Sequence, residues 1–345
     1  MKQSYSHTSL TLTYICSAII IGFFYFLGGI LSILEFIFTL IIYFLFWYMV
    51  VFLWKKIRKK EIPDLYNIGY RFIKNIGFFL VVLGTMVGSW SYYQNSISPA
   101  IMPAYTLSNG EKTVLFQTMS HIGSESFYQN VVSNLTQAKQ DNFVYFFEGV
   151  RPGSPENTKR FNEIIGIEFD ATLYENFSKL YGVTHQDNSI FLGLENDKDY
   201  NIDLSLDDIV ELYDARVGET QKNYEVPVDI SAEIITLLTQ LSENELKVLR
   251  YINQSLLNFF IKNDSIQQVL SDNFTNGDIF AIILDERNDL LANSIIESEY
   301  DKIYTTYGLL HFKGVLELLQ KSDPNWKIIE KKELYPISIP RNSNK

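Results

Sequence analysis

Two histidines and a glutamate hold matching places in this 345-residue sequence. His121 follows a β-rich run at residues 112–119 (KTVLFQTM) and stands before a helical pattern that opens near Ser124. His311 follows the run 302–307 (KIYTTY), before a pattern that opens near Lys313, and Glu148 ends the run 142–147 (NFVYFF). In open α/β sheets, ligands and reacting groups gather at the carboxyl ends of the strands. If these three strands are parallel neighbours, two imidazoles and one carboxylate share a crevice. Such a set can hold a divalent cation with positions left for water, and the cation would acidify that water and polarise a carbonyl. The alternative is that each imidazole caps its helix or bonds to nearby backbone. The single cysteine, Cys16, excludes a disulfide framework and any multi-cysteine zinc or iron–sulfur site. Ser120 lies beside His121 without the Gly-x-Ser-x-Gly elbow of a serine hydrolase. The acid-rich segment 196–208 lacks the glycine of an EF-hand loop and reads as a solvated surface.

The elements that must position these residues alternate along the chain. Helical patterns cover 124–140, 155–165, 171–181, 228–262, 278–297 and 313–320, and strand patterns also cover 189–194 and 326–334. Ser205 opens a helix through Tyr213, because Asp208 three residues on completes a capping box. His185 falls in a loop before the 189–194 run. Alternation of this kind predicts an α/β sheet covered by helices.

Composition divides the chain sharply. Apolar residues make up 47% and charged residues 20%, which excludes a disordered chain, and the net charge of −11 argues against nucleic acid as a partner. Residues 1–99 carry a net +5 and residues 100–345 a net −16. Uncharged apolar runs at about 12–34, 36–54 and 75–93 are each long enough to span a bilayer. The first two predict a hairpin with Gly28, Gly29 and Glu35 near its bend. Lys55, Lys56, Arg58, Lys59, Lys60, Arg71 and Lys74 separate the second run from the third, a positive-inside signal. Three spans place the N-terminus in the cytoplasm and everything after about residue 95 outside it; two spans would reverse that. The expected organisation is a membrane anchor over 1–99 and an extracytoplasmic domain over 100–345.

Residues 105–335 resemble the TraB/PrgY/GumN family, which includes the Tiki proteins and is distantly similar to erythromycin esterase and ChaN-like folds. The resemblance rests on Thr118-Met119-Ser120-His121 against a strand ending Gly-x-x-His, and on YFFEGVR with Glu148 and Arg151. Asp203-Leu204-Ser205, Arg287-Asn288 and Gly308-Leu309-Leu310-His311-Phe312-Lys313-Gly314 follow in the family's order. It implies a mixed sheet flanked by helices, with His121, Glu148 and His311 as metal ligands or bases. It also implies that Arg151 and Arg287 hold an oxyanion or a substrate carboxylate, with Asp203 and Asn288 orienting them. Arg287 can equally form an ion pair with Glu286 or Asp203.

The activity implied is metal-dependent hydrolysis of a peptide or the end of a secreted protein, with manganese, cobalt or zinc. Bacterial TraB-like members are associated with limiting peptide pheromones. Two departures stand out: Thr118 replaces the first glycine, and 196–200 and 213–226 follow no family pattern. The first favours a second reading, a non-catalytic peptide or ligand receptor. A third is a metal-free esterase with a histidine base.

Overall fold

The computed structural model describes residues 7–61, 64–170, 172–187, 198–217, 226–263 and 277–341. It divides into two units, one of residues 1–92 with 240–252 and one of residues 93–239 with 253–345. The predicted strand at 189–194 lies outside the described residues.

The first unit holds helices α1 (His7–Ile57) and α2 (Leu65–Tyr92), both long and apolar enough to cross a membrane by length and composition. α1 is not straight. Its helical backbone breaks at Gly28 and Gly29, and Gly29 takes a φ of 70°, where a side chain would be strained. The ring of Phe24 stacks on that of Phe36 with centroids 4.1 Å apart. In an unbroken helix, residues twelve apart would lie about 18 Å apart along the axis, so the two arms of α1 fold back on each other. α2 runs beside both: Ser9 bonds Tyr70 at 2.9 Å, Cys16 packs on Gly77, and Phe72 packs on Phe44. Residues 57 and 65 lie at one end of the two arms and α2, and residues 28, 29 and 92 at the other. The break frees carbonyls at the end of the first arm. Ser242 Oγ donates to Leu27 O at 2.6 Å and Asn244 Nδ2 to Phe26 O at 2.7 Å, replacing the helical bonds lost there. α2 starts ten residues earlier than the predicted third run, so Arg71 and Lys74 belong to its first turns rather than to the basic loop.

The second unit is built on a mixed six-stranded sheet in the order β6-β4-β7-β2-β1-β8. The strands are β1 (Met102–Ser108), β2 (Thr113–Met119), β4 (Val144–Phe147), β6 (Asp199–Asn201), β7 (Lys302–Gly308) and β8 (Lys327–Leu334). β6, β4, β7 and β2 are parallel; β1 runs antiparallel to both β2 and β8. A short separate pair joins β3 (Ile122–Gly123) to β5 (Thr184–His185).

Each face of the sheet is covered. α3 (Glu125–Gln140), capped by Ser124, seats Phe127, Val131 and Leu135 over Tyr145 and Tyr304 on one face. α10 (Arg287–Glu297) and α11 (His311–Ser322) seat Leu291, Ile295, Val315 and Leu319 over Phe116, Val144 and Ile303 on the other. A third cluster joins α4 (Pro155–Ile165) and α6 (Leu206–Val217) to Ile279 and Ile282. Among the described residues there are also α5 (Leu173–Tyr181), α7 (Ile230–Gln240), α8 (Glu243–Ile261), whose residues 243–252 belong to the first unit, and α9 (Gly277–Ala281), which a π turn, Ile282–Glu286, links to α10.

Candidate functional site

Each of the four parallel strands delivers one polar residue past its carboxyl end. Asp203 follows β6, Glu148 follows β4, His311 follows β7 and His121 follows β2. Arg287 and Asn288 come from the first turn of α10, just after the π turn, a helical irregularity often found at functional sites. Neighbours on a helix point about 100° apart, so these two reach different partners. Arg287 forks onto Asp203, Nε to Oδ1 at 2.7 Å and Nη2 to Oδ2 at 2.8 Å, and Nη2 also donates to Glu148 Oε1 at 2.6 Å. Asn288 Oδ1 sits 2.8 Å from His311 Nδ1. The amide oxygen can only accept, so Nδ1 carries the proton and Nε2 keeps its lone pair. That Nε2 lies 4.0 Å from Glu148 Oε1. Backbone N–H groups finish the carboxylates: Gly308 donates to Glu148 Oε2 at 2.5 Å, and Gly149 and Leu204 donate to Asp203.

The glycines of the Gly308–Gly314 motif have a spatial reason. A Cβ on Gly308 would stand 3.3 Å from His311 Cδ2 and 3.4 Å from Glu148 Oε2. A Cβ on Gly314 would overlap the Asn288 amide nitrogen and stand 3.0 Å from its Cγ. Gly314→Ala is therefore expected to cost about 1–3 kcal/mol through overpacking. A denaturant titration of the detergent-solubilised chain checks this; an unchanged midpoint would show that Asn288 has room to move.

Burial sets the protonation states. It lowers the His311 pKa to about 4; Glu148 opposes that shift, while Arg287 and His121 add to it. His121 is likewise lowered by the protein packed around it, although the residue as a whole is exposed. Both imidazoles are therefore neutral near pH 7. Burial alone would raise Glu148, yet Arg287, His311, His121 and the Gly308 N–H together hold it below its ordinary value. In Asp203 burial prevails over Arg287 and the pKa is raised.

Arg151 is placed elsewhere. Its backbone bridges Leu204 and Leu206, and its exposed guanidinium faces Asp208 at 3.6 Å, so Arg287 and not Arg151 holds Glu148. The Ser205–Asp208 capping box forms in both directions. Of the acids of 196–208 within the described residues, Asp199 and Asp203 have buried side chains against Lys139 and Arg287, whereas Asp207, which accepts from Ser154 and Asn157, and Asp208 are partly exposed. His185 is held in β5, and Ser120 O accepts from Tyr128. The Thr118 hydroxyl bonds Pro103 O at 2.7 Å toward β1, so its side chain serves the sheet rather than the crevice.

Three site residues escaped the sequence reading. Tyr174 stacks on His121 at 4.3 Å, and Gln186 lines the crevice. Tyr307 sets its ring edge-on to His311 and beneath the Arg287 guanidinium. Tyr307 alone had a signal, an aromatic at the end of a strand that leads into the motif.

Among the described residues, no three His, Cys, Asp or Glu side chains stand together in a metal-binding arrangement. Two donors about 2.1 Å from one cation lie roughly 3–3.4 Å apart, against the 4.0 Å from His311 Nε2 to Glu148 Oε1. The donor chemistry itself fits: a neutral imidazole oriented through its other nitrogen, and an ionised carboxylate. No protein-family model, curated protein or solved structure matches the chain, and its function is therefore argued from this geometry.

Proposed function

We propose that the chain is a membrane-anchored hydrolase of the TraB/Tiki type, which cleaves a peptide or the end of a secreted protein in this crevice. The observation that carries the reading is the single connected set Asp203–Arg287–Glu148–His311–Asn288, gathered with His121 at four parallel strand ends. In amide hydrolysis the oxygen of water adds to the carbonyl carbon, the C–N bond breaks, and a proton from water ends on the leaving nitrogen. His311 Nε2 accepts that proton, and Glu148 stabilises the imidazolium that results. Arg287 spends its Nε and Nη2 donors on the two carboxylates, which leaves Nη1 for the oxygen of the tetrahedral intermediate.

Manganese, cobalt or zinc, were it held by His311, Glu148 and His121, would acidify the water itself, and His311 Nε2 would then be a ligand rather than the base. A second reading, a metal-free hydrolase with His311 as base, is favoured by the guanidinium already seated on Glu148 Oε1. Calorimetric titration of the full chain with each of the three cations separates the two. The metal reading expects stoichiometric binding that is lost in His311→Ala and turnover that a chelator stops. No binding together with chelator-resistant turnover would establish the metal-free enzyme.

The extracytoplasmic location rests on reading the anchor as three spans. The arms of α1 and α2 alternate in direction, and Ile30, Leu31, Phe38, Phe46 and Met86 face outward, exposed. An apolar surface of that extent suits lipid rather than water. The basic residues Lys55–Lys60 cluster at the end opposite Tyr92, so the positive-inside rule directs the chain after residue 92 outward. A phosphatase fused after residue 100 of the intact anchor is expected to be active, and a fluorescent-protein fusion there dark; the reverse pattern would place the crevice in the cytoplasm.

A further inference from the structure

The crevice consists of two chambers that meet at the reacting groups. One, of about 340 Å³, is walled by Met102, Met119, Phe260, Phe280 and Leu284. The other, of about 420 Å³, is walled by Val150, Phe161, Phe169, Leu206 and Ile209. His121, Glu148, Gln186, Ile283 and Arg287 line both. The ionised groups among these described lining residues are Glu148 and Arg287, and they are already paired with each other. A charged side chain entering either chamber would lose its water without gaining a partner, whereas an apolar one would gain from burial.

We infer that the substrate is a peptide with an apolar residue on each side of the bond that is cut. This rests on the hydrolase reading above. Successive side chains of an extended peptide point to opposite sides. A bond held at His311 and Glu148 therefore sends its two flanking side chains into different chambers. Both volumes fall within the range of pockets that enclose ligands, about 300–1,000 Å³. A single apolar ligand would need one chamber only; the reacting groups at the junction of two call for a chain that passes between them.

The test uses the detergent-solubilised full chain and octapeptides of one serine–alanine background, with Leu, Phe, Asp or Lys in every pairing at the two central positions. Cleavage is read by mass spectrometry and binding by fluorescence anisotropy. Cutting between two apolar residues is expected about ten- to a hundredfold faster than beside Asp or Lys, and should be lost in His311→Gln. Phe169→Lys should admit Asp on one side of the bond only. Cutting that requires His311 but shows no apolar preference overturns the inference while sparing the hydrolase. Apolar-selective binding without cutting overturns the hydrolase reading and leaves the ligand class standing. Neither binding nor cutting, or cutting that survives His311→Gln, overturns both.

Discussion

Replacing Arg287 with methionine is expected to destabilise the second unit by about 3–5 kcal/mol, the usual result of removing one partner from a buried ion pair. The side chain of Asp203 has no solvent exposure and that of Glu148 only 14%. Methionine preserves most of the packing volume but leaves two carboxylates close together without a cation. Lysine restores a charge but not the fork that spans Nε and Nη2, so Arg287→Lys should recover only part of the loss. Exchanging Arg287, Glu148 and Asp203 together for apolar residues should recover more, since burying a complete ion pair is itself costly. Guanidinium or urea melts of the solubilised chain measure all three variants. If Arg287→Met unfolds at the parent midpoint, the triad is not what holds these strand ends together. The pH dependence follows from Glu148. Its depressed pKa contributes stability that is present above the ordinary value of 4.5 and lost as pH falls through the folded value. Asp203, whose pKa is raised, works in the opposite sense.

Much of the frame that carries this triad was legible in the sequence, because it is locally coded. Pro155 at the start of α4 and Ser124 before α3 mark helix starts by their own chemistry, and both helices begin where those signals lie. The parallel pairing of β2, β4 and β7 agrees with what three strand-then-polar junctions required. The single helix expected over 228–262 is broken at 241–242. Ser242 and Glu245 form a second capping box there, with Ser242 N donating to Glu245 Oε2 at 2.8 Å, a signal present in Ser242-Glu243-Asn244-Glu245. β1 went unread because Pro103 argues against a strand interior, yet it lies inside the sheet. Its carbonyl is bonded by Thr118.

The site was legible in its donors but not in its pairings. His121, Glu148 and His311 each stand next to a recognisable strand. The partner of Arg287 stands 84 residues away, and nothing local distinguishes Asp203 from Glu286 as its counterpart. Arg151, which the resemblance paired with Arg287, stands apart from it: the chain turns after β4 and bonds to Leu204, and the guanidinium faces Asp208 at the surface. Tyr174 and Gln186 come from segments whose own pattern says only helix and loop, so their meeting with His121 depends on tertiary packing.

Changing His311 to glutamine is expected to lower kcat/KM by about 10²–10⁴, the range for loss of a positioned acid–base group. The carboxamide can still meet Asn288 but has no basic nitrogen to place beside Glu148. Two further variants separate this effect from damage to the fold. His121 is an exposed residue whose ring contact is with Tyr174, so His121→Ala should leave the denaturation midpoint nearly unchanged. A large fall in turnover in that variant would then report chemistry. Asn288→Ala keeps the imidazole but frees its ring from the contact that fixes the proton on Nδ1. It should lower kcat with little change in KM, by a smaller factor than His311→Gln, because a fraction of rings will still present Nε2 to the water. Equal losses from Asn288→Ala and His311→Gln would mean that orientation, not basicity, limits the reaction. A His311→Gln variant that turns over at the parent rate, with its fold intact, would remove His311 from the chemistry and leave Glu148 and His121 to account for the activity.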